Sequence, residues 1–409
     1  MNALNDIVIA PMVRGLFLDA AGGPVQVRLA GNGRSASSAK GLATAKSAST
    51  ARSMSIALPS SLTKEDGALD EEKTAAELRR RFAQSGSKGA DVISVNDLPG
   101  FVEVLLGEER LSFEVLHSST KPRDSLPENS ALGRSSVVAG KIALVTGGAQ
   151  GFGAEIVRGL AASGAFVYIA DLNYEGAQRL SAELSESGIS DATFATGVNV
   201  TEESSVAAMF ETVARTTGGL DLIVSNAGVL KAGSVLDQDE KSFRFVTDVN
   251  YTGFFFMAKH GGRLLRRQWR TASSWMTDII QINSKSGLQG SNKNAAYAGS
   301  KFGSIGLAQS FALEFIQYNV KVNAICPGNF FDGPLWADPK NGLFVQYLDS
   351  GKVPGAKTLA DVKAWYEAKV PMGRGAKGTD VMKAIYYLVE QEYETGQALP
   401  VTGGQVMLS

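Results

Sequence analysis

From Lys141 onward the sequence predicts an α/β fold: a doubly wound, mostly parallel sheet with helices on both faces. Three observations carry that prediction. Short apolar strand runs alternate with helix-length amphipathic segments, the first run ends in a glycine-rich turn, and the second closes on an acid. Crossovers joining such strands are right-handed.

Ahead of this region, residues 1–140 are expected to form a small, irregular extension, dividing the chain into 1–140 and 141–409. Leu16-Phe17-Leu18 and the run at 25–29, with Ala21-Gly22-Gly23-Pro24 between them, suit a hairpin. Residues 31–61, rich in Ser, Ala, Gly and Thr, read as a low-complexity linker. Residues 63–82 form a charged helix pattern, with Glu71, Glu72 and Glu77 before Arg79, Arg80 and Arg81, the order that the helix dipole favours. The basic triplet reads as a solvated face. Runs at 101–106 and 111–116 flank Gly107-Glu108-Glu109-Arg110 as a second hairpin, and 121–138 is a polar linker. The extension carries no motif with recognisable chemistry.

The apolar run at 142–145 leads into Thr146-Gly147-Gly148-Ala149-Gln150-Gly151-Phe152-Gly153, a helix pattern follows to Ser163, and a second strand closes on Asp171. Glycines let a backbone approach a pyrophosphate, which rests at a helix N-terminus where free N–H groups point. Gly147, Gln150, Gly151, Phe152 and Gly153 are therefore the expected cofactor contacts. Asp171 suits ribose hydroxyls and repels a 2′-phosphate, and Leu172 and Asn173 bring no arginine, so NAD is expected rather than NADP. The alternation continues with a strand at 193–200, ending in Asn199 and Val200, a helix at 203–217, and a strand at 221–224. Ser225-Asn226-Ala227-Gly228 ends that strand with residues small enough for a cofactor to lie close. A long helical region at 238–259 carries Asn250, and Arg263, Arg266, Arg267 and Arg270 beyond it read as solvent-facing.

The stretch at 278–301 holds the chemistry. A buried strand at 278–282 is followed by Ser284, and the helix at 294–318 carries Tyr297 and Lys301 on one face. An ammonium beside a phenol favours the phenolate. Tyr297 is thus the expected proton-transferring group, Ser284 the holder of the same substrate oxygen, and Lys301 the group that tunes the tyrosine and binds the nicotinamide ribose. Asn250, if its helix is interrupted, would hold a water that links Lys301 to solvent. A strand at 320–325 ends in Cys326-Pro327-Gly328, the aromatic insert at 329–367 offers a substrate cover, and a helix at 379–391 and strand at 398–401 complete the region.

These motifs together resemble the short-chain dehydrogenases/reductases over residues 141–409: Thr146-Gly147, Gly151-Phe152-Gly153, Asn226-Ala227-Gly228, Asn250, Ser284, Tyr297, Lys301 and Pro327-Gly328. The resemblance implies a Rossmann-like sheet of about seven strands, NAD(P), and a homodimer or homotetramer. It also implies that Asn199 contacts adenine, where an Asp is usual, and that Pro327 and Gly328 lie by the carboxamide. Departures are Ser225 before Asn226, and Asn329 and Phe330 where a threonine is common. Within the family, 280–287 and 290–294 are similar to members that oxidise C2 of a phosphorylated sugar alcohol to the ketose. Lys285 and Lys293 flank the loop leaving Ser284 and are the expected phosphate contacts, with Ser284 and Tyr297 on the reacting carbon's oxygen. An unphosphorylated polyol or another small alcohol is the rival substrate, and a non-catalytic dinucleotide-binding scaffold the rival class.

Composition narrows the partners. Forty Lys+Arg against 41 Asp+Glu give a net charge of -1, with no positive field for nucleic acid or an anionic membrane. One cysteine excludes an internal disulfide, and two histidines leave no basis for a metal site. No membrane-length apolar run or basic secretory start is present, so a cytoplasmic location is expected.

Overall fold

The computed structural model describes residues 3–21, 25–29, 53–64, 68–85, 101–106, 109–117, 135–340, 342–349, 351 and 353–407. Its first part contains α1 (Ala3–Ala21), β1 (Val25–Leu29), β2 (Ser53–Leu58), α2 (Glu71–Ser85), β3 (Phe101–Leu106) and β4 (Glu109–His117). The four strands form one sheet in the order β1-β4-β3-β2. The hairpin expected at 101–116 is present as antiparallel β3 and β4. The one expected between 16–18 and 25–29 is not: residues 16–18 lie inside α1, and β1 pairs with β4 instead. The reason is burial on every side: every residue from Ile7 to Leu18 except Val8 is buried, a run too long for one strand, and Ile9, Met12, Val13, Leu16 and Phe17 share a core with Ile56, Leu78, Val104 and Phe113. The linker expected at 31–61 runs into β2; residues 31–52 and 118–134 lie outside the described residues.

The second part alternates β5 (Ile142–Thr146), α3 (Gly151–Ala162), β6 (Phe166–Asp171), α4 (Tyr174–Glu186), β7 (Thr193–Gly197), α5 (Glu203–Thr217) and β8 (Leu222–Ser225). Then come α6 (Glu240–Thr247), a π-helical turn (Asp248–Thr252), α7 (Gly253–Trp269), β9 (Thr277–Ile282), α8 (Ala295–Phe315) and β10 (Val320–Pro327). After short α9 (Pro334–Ala337), α10 (Leu343–Asp349) and α11 (Leu359–Glu367), α12 (Gly378–Glu390) and β11 (Ala398–Val401) end the fold. The seven strands run parallel in the order β11-β10-β9-β8-β5-β6-β7. Successive strand residues face opposite layers. Leu144, Ile223 and Ile279 pack with Val206 of α5 and Met257 of α7, whereas Val145, Val224 and Ile280 pack with Val157 of α3 and Ile385 of α12. The strand order reverses between β5 and β8, which opens a crevice at their C-terminal ends, where ligands bind in such sheets.

The first part is fastened to the second at the opposite end of the strands. Arg14 of α1 reaches Asp221, just before β8, with both side chains fully buried. Gly15 allows the approach, since a Cβ there would lie 2.2 Å from Thr271 Oγ1. Arg267 and Arg270, expected to face solvent, instead pair with Glu71 of α2. No described helix is long and apolar enough to cross a membrane.

Candidate active site

The glycine turn is built for close approach. Gly147 (φ 61°) and Gly151 (φ 57°) occupy the left-handed region, and a Cβ at Gly153 would lie 1.9 Å from the Gly147 carbonyl oxygen. The N-cap residue of α3, Gln150, makes no side-chain cap, which leaves the first-turn N–H groups to an anion. Asp171 closes the turn from β6, accepting from the Ala149 N–H at 2.9 Å and the Asn173 N–H at 2.8 Å. Thr146 Oγ1 accepts from the N–H groups of Asn226 and Ala227 at 3.0 and 3.1 Å, and Asn226 Nδ2 returns bonds to the carbonyls of Thr146 and Gly147. The small residues after β8 thus lock the turn, and Thr146 is the pivot. A dinucleotide fits this cradle: its anionic middle would meet the α3 N-terminus and its ribose hydroxyls Asp171.

Other expected cofactor contacts sit around the same crevice. Phe152 stacks on Phe330, ring centroids 4.3 Å apart, so the start of the cover lies over the glycine turn. Pro327 ends β10, and the Gly328 N–H donates to Val401. Gln405 Oε1 then accepts from the Asn329 N–H, a hold with no local signal in the sequence. Asn199 and buried Val200 follow β7. The Asn199 carboxamide is engaged with Glu202 and Thr201.

Around the strand ends, β9 and α8 bring the reactive side chains together. Asn283 Nδ2 donates to Gln281 Oε1 and the Lys301 carbonyl, while its Oδ1 accepts from the Ser284 N–H. This buried residue fixes strand to helix. Ser284 Oγ caps the turn at Lys285–Gly287 by accepting from the Ser286 N–H at 3.1 Å. Burial raises Tyr297 above its ordinary value, and hydrogen bonding with Ser284 opposes that rise. Lys301, 4% exposed, donates to the Ile282 carbonyl at 3.0 Å, and its ammonium lies 5.7 Å from the Tyr297 ring centroid. Burial pushes that ammonium down to about 8. The expected lowering of the tyrosine is therefore not what the protein alone produces: desolvation outweighs the hydrogen bond with Ser284 at the tyrosine and the favourable charge at the lysine.

Asn250 lies in the π-helical turn, which interrupts the regular helix between α6 and α7. Its Oδ1 accepts from the Val229 N–H at 2.8 Å, and its Nδ2 donates to the Val229 carbonyl and Ser300 Oγ. A Cβ on Gly228 would fall 3.3 Å from Asn250 Oδ1 and 3.7 Å from Lys301 Nζ, which shows how closely the three converge.

The two expected phosphate lysines separate. Lys285 is half-buried; Lys293 is exposed, with its backbone in the left-handed region (φ 55°). Burial, then the charge of Lys369, lower Lys285. Lys369 had no local signal beyond its place after the aromatic insert. Among the described residues no group of three or more His, Cys, Asp or Glu side chains is arranged to hold a metal ion.

Comparison with known proteins agrees with this geometry. A family model described as short chain dehydrogenase matches residues 141–337. The chain is 34% identical over 270 residues to sorbitol-6-phosphate 2-dehydrogenase of Escherichia coli (strain K12), covering 65% of this chain and 99% of that protein. It is 31% identical over 274 residues to trans-4-hydroxycyclohexanecarboxylate dehydrogenase of Sinomonas cyclohexanicum, covering 66% and 93%. The crystal structure of sorbitol-6-phosphate 2-dehydrogenase from Erwinia amylovora superposes with a TM-score of 0.59 at 35% identity, covering 65% of this chain and all of that one.

Proposed function

The chain belongs to the short-chain dehydrogenase family, and from that premise we propose that it is an NAD-dependent dehydrogenase of a phosphorylated polyol, interconverting sorbitol 6-phosphate and fructose 6-phosphate. The observation that carries the chemistry is the meeting of Ser284, Tyr297 and Lys301 past the C-terminal end of β9, the strand beside β8. The substrate reading is supported by the half-buried Lys285 next to Ser284 and by the sugar-phosphate relatives. NAD rather than NADP is supported by Asp171 at the end of β6.

Bound nicotinamide dinucleotide supplies the hydride acceptor or donor. The chain's residues handle the oxygen and its proton. Ser284 Oγ holds the substrate oxygen beside the Tyr297 phenol. In oxidation the tyrosinate takes the hydroxyl proton; in reduction the neutral phenol returns it as the alkoxide forms. Lys301, buried and charged below about pH 8, lies 5.7 Å from the Tyr297 ring centroid, where its charge would favour the tyrosinate and its ammonium would hold the nicotinamide ribose. Asn250 is a positioning residue: it holds Val229 and Ser300 around the lysine. Exposed Phe255, Phe302, Leu313 and Ile316 on or just after α7 and α8 support a homodimer or homotetramer, and a cytoplasmic location is part of the same reading.

The test follows NADH absorbance with sorbitol 6-phosphate, sorbitol and trans-4-hydroxycyclohexanecarboxylate. Sorbitol 6-phosphate is expected to have the highest kcat/KM, and Tyr297→Phe to lose about 10²–10⁴ in rate. Normal turnover by Tyr297→Phe refutes the mechanism; equal use of all three alcohols refutes the substrate.

A further inference from the structure

Asn294 occupies the N-cap position of α8, the helix that carries Tyr297 and Lys301. An asparagine there has a ready structural task, which is to accept from the unpaired N–H groups of the first turn. Asn173, Asp239 and Thr358 do this at the starts of α4, α6 and α11. The Asn294 side chain caps nothing. The residue is 9% exposed, and its Oδ1 is enclosed with no hydrogen-bond partner among the described residues. A buried acceptor left unpaired is unfavourable, and the helix does not account for it.

Its place in the fold points to what completes it. Because α8 returns between parallel β9 and β10, its first turn lies at the end of the sheet where Ser284 follows β9. Asn294 stands one turn ahead of Tyr297 and two ahead of Lys301, on the face that those side chains share. The Lys301 bond to the Ile282 carbonyl turns that face to the crevice. The loop after β8 closes over the same turn, the Gly233 N–H donating to the Lys293 carbonyl at 2.8 Å. A carboxamide oxygen needs a donor. The reacting oxygen is held by Ser284 and Tyr297, and a phosphate offers acceptors. The other hydroxyls of a polyol both donate and accept. The χ2 torsion of an asparagine is broad and roughly two-fold, so a half-turn presents either end of the carboxamide to such a group.

We propose that Asn294 is a substrate-binding residue that reads a hydroxyl on a carbon next to the reacting one, its carboxamide oxygen accepting from that O–H. This deepens the phosphorylated-polyol reading and rests on its polyol half, not on the phosphate. An alcohol with no neighbouring hydroxyl leaves the carboxamide unpaired, so the contact discriminates as well as binds.

The experiment measures NADH-dependent kcat/KM for fructose 6-phosphate and for its 1-deoxy and 3-deoxy forms, in the full chain and in Asn294→Ala and Asn294→Ser. Serine is able to cap the helix but withdraws the carboxamide, so it separates the contact from the cap and carries the comparison should Asn294→Ala fold poorly. Both variants are expected to lose roughly 10–100-fold on fructose 6-phosphate. One deoxy compound, lacking the hydroxyl that is read, should be poorer with the wild type by the same factor and lose nothing further in either variant. Equal losses on all three compounds assign Asn294 to the position of α8 and overturn the proposal, as does full activity in either variant. Sorbitol 6-phosphate, sorbitol and trans-4-hydroxycyclohexanecarboxylate separate the proposal from the reading beneath it. Equal use of sorbitol and its phosphate removes the phosphate and leaves the hydroxyl contact standing, scored then on fructose and its deoxy forms. A wild type that prefers trans-4-hydroxycyclohexanecarboxylate, whose alcohol has no neighbouring hydroxyl, overturns both.

Discussion

Replacing Arg14 by Met should destabilise the whole chain, not only the part before residue 135. Arg14 Nη2 meets Asp221 Oδ1 and Oδ2 at 2.9 and 2.8 Å, and neither side chain has any solvent exposure. Asp221 also accepts from the Ile142 N–H at 2.8 Å and from Trp275 Nε1 at 2.9 Å, so its carboxylate joins α1 to the first residue of β5 and to the turn before β9. Burial alone would raise Asp221, but Arg14 and then Lys141 outweigh it, and the carboxyl sits below its ordinary value. Without Arg14 the burial cost loses its main opponent. Breaking a buried pair from one side costs about 3–5 kcal/mol. With an m-value of about 3 kcal/mol per M, the urea midpoint drops by about 1 M or more. Stability from a depressed carboxylate is present above its unfolded value, about 3.9, and is lost as pH falls through the folded value. The deficit of Arg14→Met should therefore be full at pH 7 and narrow below about pH 4. Urea unfolding would be followed by tryptophan fluorescence and by hydrogen exchange at Ile142 and in β8 and β9. A loss under about 1 kcal/mol, or unchanged exchange in those strands, refutes the argument.

Two further outcomes follow from the site. In ketose reduction both a neutral Tyr297 and a charged Lys301 are needed, and the ammonium is lost as pH rises through about 8 in the free protein, so kcat/KM should fall above that point. Lys301→Arg, which stays charged, should shift that fall upward even if the maximal rate drops; an unshifted fall removes Lys301 from the profile. Replacing Asp171 by Ser together with Leu172→Arg, at a position 75% exposed, should shift the NADP-to-NAD ratio of kcat/KM by roughly tenfold or more, since a repulsion becomes an attraction. An unchanged ratio in that double variant would place the adenosine end elsewhere.

What the sequence made legible is what short-range rules govern. The parallel sheet follows from apolar runs of strand length with glycine turns between them, and Tyr297 and Lys301 share a face because any helix places them so. The misread elements depend on partners distant in the chain. Residues 16–18 look like a strand until the buried run is traced back to Ile7, too long for one strand, and β1 finds its partner in β4 rather than in its neighbour. Lys285 and Lys293 look equivalent as letters, yet the left-handed backbone at Lys293 accompanies an exposed side chain, while Lys285 sits half-buried in the turn after Ser284. The Arg267 and Arg270 pairs with Glu71 required the position of α2, which no local pattern supplies.

The location of the Arg14–Asp221 pair also constrains what the first part of the chain does. Its contacts fall at Ile142, Asp221 and Trp275, at or just before the starts of β5, β8 and β9. The reactive groups lie past the other ends of those strands, at Gly147, Asn226 and Ser284. A sheet of buried parallel strands separates the two, so α1 and its sheet cannot supply a group to the substrate from where they are fastened. Their influence on turnover must pass through the stability of β5, β8 and β9 or through the position of α7, against whose C-terminal turn α1 is bonded by Thr271 Oγ1 donating to the Met12 carbonyl at 2.6 Å. An Arg14→Met protein that remains folded should therefore keep the substrate preference of the wild type while losing resistance to urea, a separation that a direct catalytic role for the N-terminal part would not produce.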